Sequence, residues 1–158
     1  MPRAITMLIA DDDEDDRFLA LTALKSARLR NDLRFVGDGV ELLAYLRRQP
    51  PYTDPASSPK PGLVLLDLNM PRMDGRAALA EIKADPLLRT IPVVVLTTSR
   101  AETDIERSYQ LGANSFIVKP VTFEGLVEVM RELGRYWFEI VEPPPDGVPK
   151  DRGSTTPC

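Results

Sequence analysis

Leu63-Val64-Leu65-Leu66-Asp67 places four apolar residues in unbroken succession and then a carboxylate. A strand with one wet face alternates apolar and polar residues. An uninterrupted run is instead buried on both faces, the habit of a parallel sheet held between two helix layers. Val93-Val94-Val95-Leu96-Thr97 repeats the pattern, and residues 5–10, 33–36 and 116–118 are three further short runs rich in apolar and β-branched side chains. Between them the apolar spacing is helical. Phe18, Leu21 and Leu24 mark a first helix, residues 40–46 a second, 77–82 a third, 105–111 a fourth and 126–140 a fifth. Five strand–helix units in strict alternation predict an α/β fold: a doubly wound five-stranded parallel sheet flanked by five helices.

The chain of 158 residues suits one domain with a full core. Its net charge is −4, but the six consecutive acids Asp11 to Asp16 account for more than that, since without them it would be +2. The acidity is local, and nothing favours nucleic acid as a partner. Cys158 is the sole cysteine, so no intrachain disulfide forms and a reducing compartment is expected. The apolar stretch after Arg3 is too short for a secretory signal, and no run reaches the roughly 18 apolar residues of a membrane span. No membrane partner and a cytoplasmic location are expected. Ten of the fifteen prolines fall within 50–61 and 143–157, where neither a helix nor a central strand can run. The first stretch reads as a loop inserted before the third strand and the second as a tail, 143–158.

Histidine is absent. No Ser-His-Asp or Cys-His nucleophile, no His-ligated zinc or haem and no phosphohistidine of the chain's own can be built. Carboxylate, lysine and hydroxyl chemistry remain.

In a parallel sheet, the residues that follow each strand gather along one edge, where ligands bind. Here those residues are Asp11 and Asp12 after the first strand, Asp67 after the third, Thr97 ending the fourth and Lys119 after the fifth. Three carboxylates, a hydroxyl and an ammonium match a Mg²⁺ site that handles a phosphoryl group, with an aspartate as nucleophile. Singly, each has a plainer reading. An acid after a strand is often a helix cap, which is the reading for Asp13, Glu14, Asp15 and Asp16. Threonine is common in strands and lysine in wet loops. The joint pattern favours chemistry. Gly37-Asp38-Gly39 lacks the third glycine of a dinucleotide fingerprint, since Leu42 stands there, and reads as a turn. There is also no G-x-x-x-x-G-K-[ST] phosphate loop.

The set resembles the receiver domain of two-component response regulators. The resemblance runs over about residues 4–140 and rests on Leu8-Ile9-Ala10-Asp11-Asp12, Leu65-Leu66-Asp67-Leu68-Asn69-Met70-Pro71 with Asp74-Gly75, Pro92 to Thr97, Gly112-Ala113, and Phe116-Ile117-Val118-Lys119-Pro120. It implies the flavodoxin-like receiver topology, with a receiver domain at 4–142 and no effector domain after it. It further implies that Asp67 accepts a phosphoryl group from a histidine kinase, that Asp12, Asp67 and the Asn69 carbonyl bind Mg²⁺ directly, and that Asp11 acts through a metal-bound water. Lys119 would pair with Asp67 and then the phosphate, Thr97 would bond a phosphoryl oxygen, and Phe116 would rotate into the space left behind. Asn69 and Ser99 would tune phosphate loss, and the bond between Lys119 and Pro120 would be cis. Residues 94–99, 104–109 and 136–138 are similar to receivers that serve bacterial phytochrome kinases, which makes a phytochrome the implied donor.

Without an effector, output must pass through surface contacts. The last helix shows a core stripe at Leu126, Met130, Leu133, Trp137 and Ile140, with Val129, Tyr136 and Phe138 off it. Those residues either cover the domain's own sheet edge or tail, or form an apolar patch. The patch suits a homodimer through the fourth helix, fifth strand and fifth helix, the pairing related receivers use. Two rivals stand beside the receiver reading. A phosphatase of haloacid dehalogenase type would need D-x-D where this chain has Asp67-Leu68-Asn69, and would carry its acid pair last. A phosphorylation-independent adaptor would keep the shape without the chemistry.

Overall fold

The computed structural model describes residues 6–26, 32–98 and 101–135. Five strands, β1 (Thr6–Ala10), β2 (Asp32–Val36), β3 (Leu63–Leu66), β4 (Val93–Thr97) and β5 (Ser115–Val118), alternate with α1 (Glu14–Ser26), α2 (Gly39–Leu46), α3 (Gly75–Ala84), α4 (Glu102–Gln110) and α5 (Phe123–Gly134). All pairings are parallel, in the order β2-β1-β3-β4-β5. The chain winds outward from β1 to β2, then returns across β1 to β3. The point of reversal therefore lies between β1 and β3, and a crevice opens there at the carboxyl ends of the strands.

The unbroken apolar strands do serve two cores. Leu8, Ala10, Val64, Leu66, Val93 and Val95 join Leu42, Leu46, Ala78, Leu79 and Ile82 of α2 and α3 on one face. Met7, Ile9, Leu63, Leu65, Val94 and Leu96 join Ala20, Ala23 and Leu24 of α1 and Met130 and Leu133 of α5 on the other. Successive residues of a strand point to opposite faces, so a run with no polar break is what two helix layers require.

Asp38, Asp74 and Thr122 cap α2, α3 and α5, each side-chain oxygen accepting a backbone N–H three residues on. Asp13 serves α1 in the same way, accepting from the N–H groups of Asp15 and Asp16. The start of α4 is Ala101, whose methyl side chain has no acceptor to offer, and Ser108 is its one buried residue. Polar ties to neighbouring elements help hold α4. Arg76 of α3 forks onto Asp104 at 2.8 and 2.7 Å, and the Tyr109 hydroxyl accepts the Phe116 N–H at 3.1 Å.

The first helix forms where Phe18, Leu21 and Leu24 mark it, but Phe18 is 67% exposed: steps of three drift round a helix of period 3.6, and the face at Ala20, Ala23 and Leu24 packs on the sheet. Val129 is half-buried, with part of its side chain packed against the second core. The cis bond among the described residues joins Pro50 to Pro51, not Lys119 to Pro120, which keeps the trans form that even X-Pro bonds favour by roughly 0.5–1 kcal/mol. Ile5, Ser99, Tyr136, Trp137, Phe138, Ile140 and the tail at 143–158 lie outside the described residues.

The proline-rich stretch is irregular, as its composition requires, but well anchored. The Tyr45 hydroxyl donates to the Pro59 carbonyl at 2.7 Å, Arg48 to that of Ser58 at 2.7 Å and Arg34 to that of Ser57 at 2.8 Å. The Tyr52 ring lies 5.0 Å from that of Tyr45, and its hydroxyl donates to Glu41. Burial and the Glu41 carboxylate push the Tyr52 hydroxyl up to about 12. Tyr52→Phe is expected to lower stability by about 1 kcal/mol. Because the unfolded tyrosine ionises near pH ~10 while the folded one stays protonated to about 12, the parent's advantage should hold up to the first value and fade between the two. Urea melts of parent and variant across that range check this.

Candidate functional site

Backbone bonds extend the sheet ladder one residue past the strands and fix where the polar side chains start. The Asp11 N–H donates to the Val36 carbonyl at 3.0 Å, that of Asp67 to Ala10 at 3.0 Å and that of Lys119 to Thr97 at 2.7 Å. Arg17 of α1 donates to the Asp11 carbonyl at 2.8 Å. Gly75 opens α3 directly against this edge. A Cβ there would lie 2.3 Å from the Asp67 carbonyl oxygen, which explains the glycine after Asp74.

The side chains converge on one spot. Asp67 is buried; its Oδ1 accepts from the Thr97 hydroxyl at 2.9 Å and the Asn69 N–H at 3.1 Å. The Lys119 ammonium stands 3.4 Å from Asp67 Oδ2 but closer to Asp11, at 2.7 Å, and to Asp16, at 2.8 Å. Carboxylate oxygens of Asp11, Asp12 and Asp67 all lie within 4.8 Å of one another. Asp12 and Asn69 are exposed at the rim. Phe116 sits one strand away, half-buried against the α2–α3 core. Thr97 is fully buried. A cavity of about 120 Å³ opens beside the site, with Leu19 of α1 and Phe123, Leu126 and Met130 of α5 on its apolar side.

Burial raises the Asp11 carboxyl above its ordinary range, and its bond to Lys119 opposes the rise. Burial pulls on Lys119 in the opposite sense, yet its bonds to Asp11 and Asp16 prevail and hold the ammonium above the ordinary lysine range. Lys119 therefore stays charged, and Asp11, Asp16 and Asp67 share its ammonium, with Asp12 beside them. Three hard oxygen donors at this spacing, in excess of the local positive charge, fit a divalent ion such as Mg²⁺. Asp12→Asn is expected to raise stability without metal by about 1 kcal/mol, as one like-charge repulsion disappears. It should also weaken Mg²⁺ binding. Thermal melts with chelator, paired with Mg²⁺ titration calorimetry, read the two effects in opposite directions.

One participant escaped the sequence reading. Asp16 does belong to the first turn of α1, but its carboxylate is not only a dipole partner, because it bonds Lys119. The available signal is slight: Asp16 sits in the first turn of α1, three residues after the capping Asp13, and that position alone does not aim it at Lys119.

Comparisons with known proteins agree with this geometry. The family model for the response regulator receiver domain matches residues 7–131. Response regulator Rcp1 of Synechocystis sp. is 39% identical over 143 residues, covering 90% of this chain and 95% of that protein. The crystal structure of the phosphorylated cyanobacterial phytochrome response regulator RcpA superposes with a TM-score of 0.83 at 38% identity, covering 90% of this chain and all of that one. The Mn²⁺-bound form of Rcp1 does so with a TM-score of 0.80 at 38% identity over 89% of this chain and 99% of that one. The haloacid dehalogenase alternative is thereby excluded. With its sheet order, its acids at the β1–β3 reversal and these relatives, the chain belongs to the response regulator receiver family and is a phosphoryl-accepting signalling protein.

Proposed function

We propose that Asp67 is the phosphoacceptor, in a Mg²⁺-dependent transfer from a histidine kinase. A carboxylate oxygen of Asp67 attacks the phosphorus of the kinase's phosphohistidine as the P–N bond breaks, and the electron pair returns to the imidazole, leaving an acyl phosphate. The convergence of the Thr97 hydroxyl and Lys119 ammonium on the Asp67 carboxylate carries this reading, with Asp11 and Asp12 at its side. Asp11, Asp12, Asp67 and the Asn69 carbonyl would hold Mg²⁺, which when bound supplies positive charge opposite the phosphoryl oxygens. Lys119 offers N–H donors to the new phosphate and offsets its roughly −1.5 to −2 charge. The Thr97 hydroxyl, now spent on Asp67 Oδ1, can turn to a phosphoryl oxygen, drawing the loop after β4 inward, and Phe116 packs into the volume released.

The protein acts as a stoichiometric acceptor and not as a turnover enzyme. Its domain occupies 4–142, ahead of the tail at 143–158, and it works in the cytoplasm; no helix of the described residues is long and apolar enough to cross a membrane. A phytochrome is the donor kinase we favour, on the likeness to RcpA. Output passes through α4, β5 and α5 to a second copy of the chain. In support, β5 is an edge strand whose four residues are half-buried, and Tyr109 of α4 is 50% exposed. An autophosphorylated phytochrome kinase should pass its label to the chain in Mg²⁺ and not in chelator. Label that stays on the kinase in both would refute the pairing.

A further inference from the structure

Lys119 has two firm partners and one loose one. Its ammonium bonds Asp11 at 2.7 Å and Asp16 at 2.8 Å, while Asp67 stands off at 3.4 Å. We propose that Asp16 is a positioning residue that restrains the Lys119 ammonium in the unphosphorylated protein, so that phosphoryl transfer to Asp67 must compete with the Asp16 pair. The inference rests on the reading of Asp67 as phosphoacceptor and adds a regulator of that same site.

The placement is built and not incidental. Asp13 accepts from the N–H groups of both Asp15 and Asp16, at 2.8 and 3.3 Å, which fixes the first turn of α1. That turn places Asp16 across the crevice from the residue following β5, and the two side chains meet at 2.8 Å. An ammonium has three N–H donors, and two of them are committed to Asp11 and Asp16. When Asp67 carries a phosphate, three acceptor oxygens and nearly two charges appear where one carboxylate stood. Lys119 must then turn toward them and loosen its hold on Asp16. Asp16 opposes transfer twice, by retaining the cation and by placing a negative charge close to an incoming anionic donor. Its side chain is 37% exposed, so replacing it costs the core nothing. Asp15, one residue earlier, is exposed and not bonded to Lys119, and changes net charge equally when neutralised.

The test compares parent, Asp16→Asn, Asp16→Glu and Asp15→Asn at saturating Mg²⁺, with acetyl phosphate as donor and phosphate on Asp67 counted by intact mass over time. Asp16→Asn should label about five- to tenfold faster than the parent, the factor expected when one charge a few ångströms away is removed. Asp16→Glu keeps the acid and should return to the parent rate, and Asp15→Asn should stay within about twofold of it. In Mg²⁺-free protein, the ¹⁵N shift of the Lys119 ammonium should move in Asp16→Asn and not in Asp15→Asn. Equal rates for Asp16→Asn and Asp15→Asn, a slower Asp16→Asn, or an unmoved ammonium signal would overturn the restraint. A parent that takes no label on Asp67 would instead overturn the reading beneath it.

Discussion

Asp67→Asn is expected to take no phosphate from acetyl phosphate in the presence of Mg²⁺, whereas the parent should gain one phosphoryl group per chain. The expected fall in labelling rate is about 10³-fold or more, because no other group here can replace the nucleophile. Asp11 and Asp12 lie within 4.8 Å of Asp67, but neither accepts the Thr97 hydroxyl, which donates to Asp67 at 2.9 Å. Asparagine keeps the shape and one acceptor oxygen, so the fold should survive. Metal-free stability should rise by about 1 kcal/mol, since a like charge has left the crowded edge. A variant that loses labelling while melting higher separates chemistry from folding. Intact mass and a thermal melt on the same sample provide both readings.

Lys119→Met carries the second large effect, and its sign on stability is opposite. The ammonium is the group that bonds Asp11, Asp16 and Asp67 together. Removing it leaves their charges uncompensated. Breaking a buried pair typically costs about 3–5 kcal/mol. Here about 2 kcal/mol is expected, because Asp16 is 37% exposed and water screens its charge. Mg²⁺ should stabilise the variant more than the parent, since the ion then replaces the positive charge that Asp11, Asp16 and Asp67 have lost. Phosphorylation should still fall by about 10²-fold at saturating Mg²⁺, as the phosphoryl oxygens lose a fixed cation. Melts with and without Mg²⁺, together with labelling time courses, check each part.

Much of the fold could be read from the chain because buried parallel strands have no polar alternation to disguise them. The boundaries of β3 at Leu63–Leu66 coincide with the apolar run, and β1, β2, β4 and β5 differ from the runs by one residue. Asp11, Asp12, Asp67, Thr97 and Lys119 could be assembled on paper because each follows or ends a strand, and topology alone carries strand ends to one edge. Side-chain reach is a different matter. Asp16 lies on a helix, where sequence position shows the face but not that the face points at Lys119. Phe18, Leu21 and Leu24 mark α1 in the sequence but do not show which face it buries, and the close approach of α1 to the sheet selects the small Ala20 and Ala23 beside Leu24. Likewise, Arg76 and Asp104 are 28 residues apart, and nothing local marks two surface charges as the tie that holds α4.

The receiver's work thus depends on a stored imbalance. Four acids and one ammonium at the sheet edge should make the metal-free protein less stable than it need be, and that same excess of negative charge favours a cation, whose charge would then offset that of an incoming phosphate. Such sacrifice of stability at a working site is common. It also makes the crevice responsive, because each charge added or removed there changes which partner Lys119 and Thr97 prefer.

The most direct measurement is to trap the acyl phosphate. The Mg²⁺-loaded protein is labelled by a phosphorylated histidine kinase, reduced with borohydride, digested and mapped by mass spectrometry. The account predicts a single reduced aspartate, at position 67, that disappears when Mg²⁺ is chelated before the transfer. Reduction at Asp11, Asp12 or Asp16, or label at Asp67 undiminished by chelator, would contradict it.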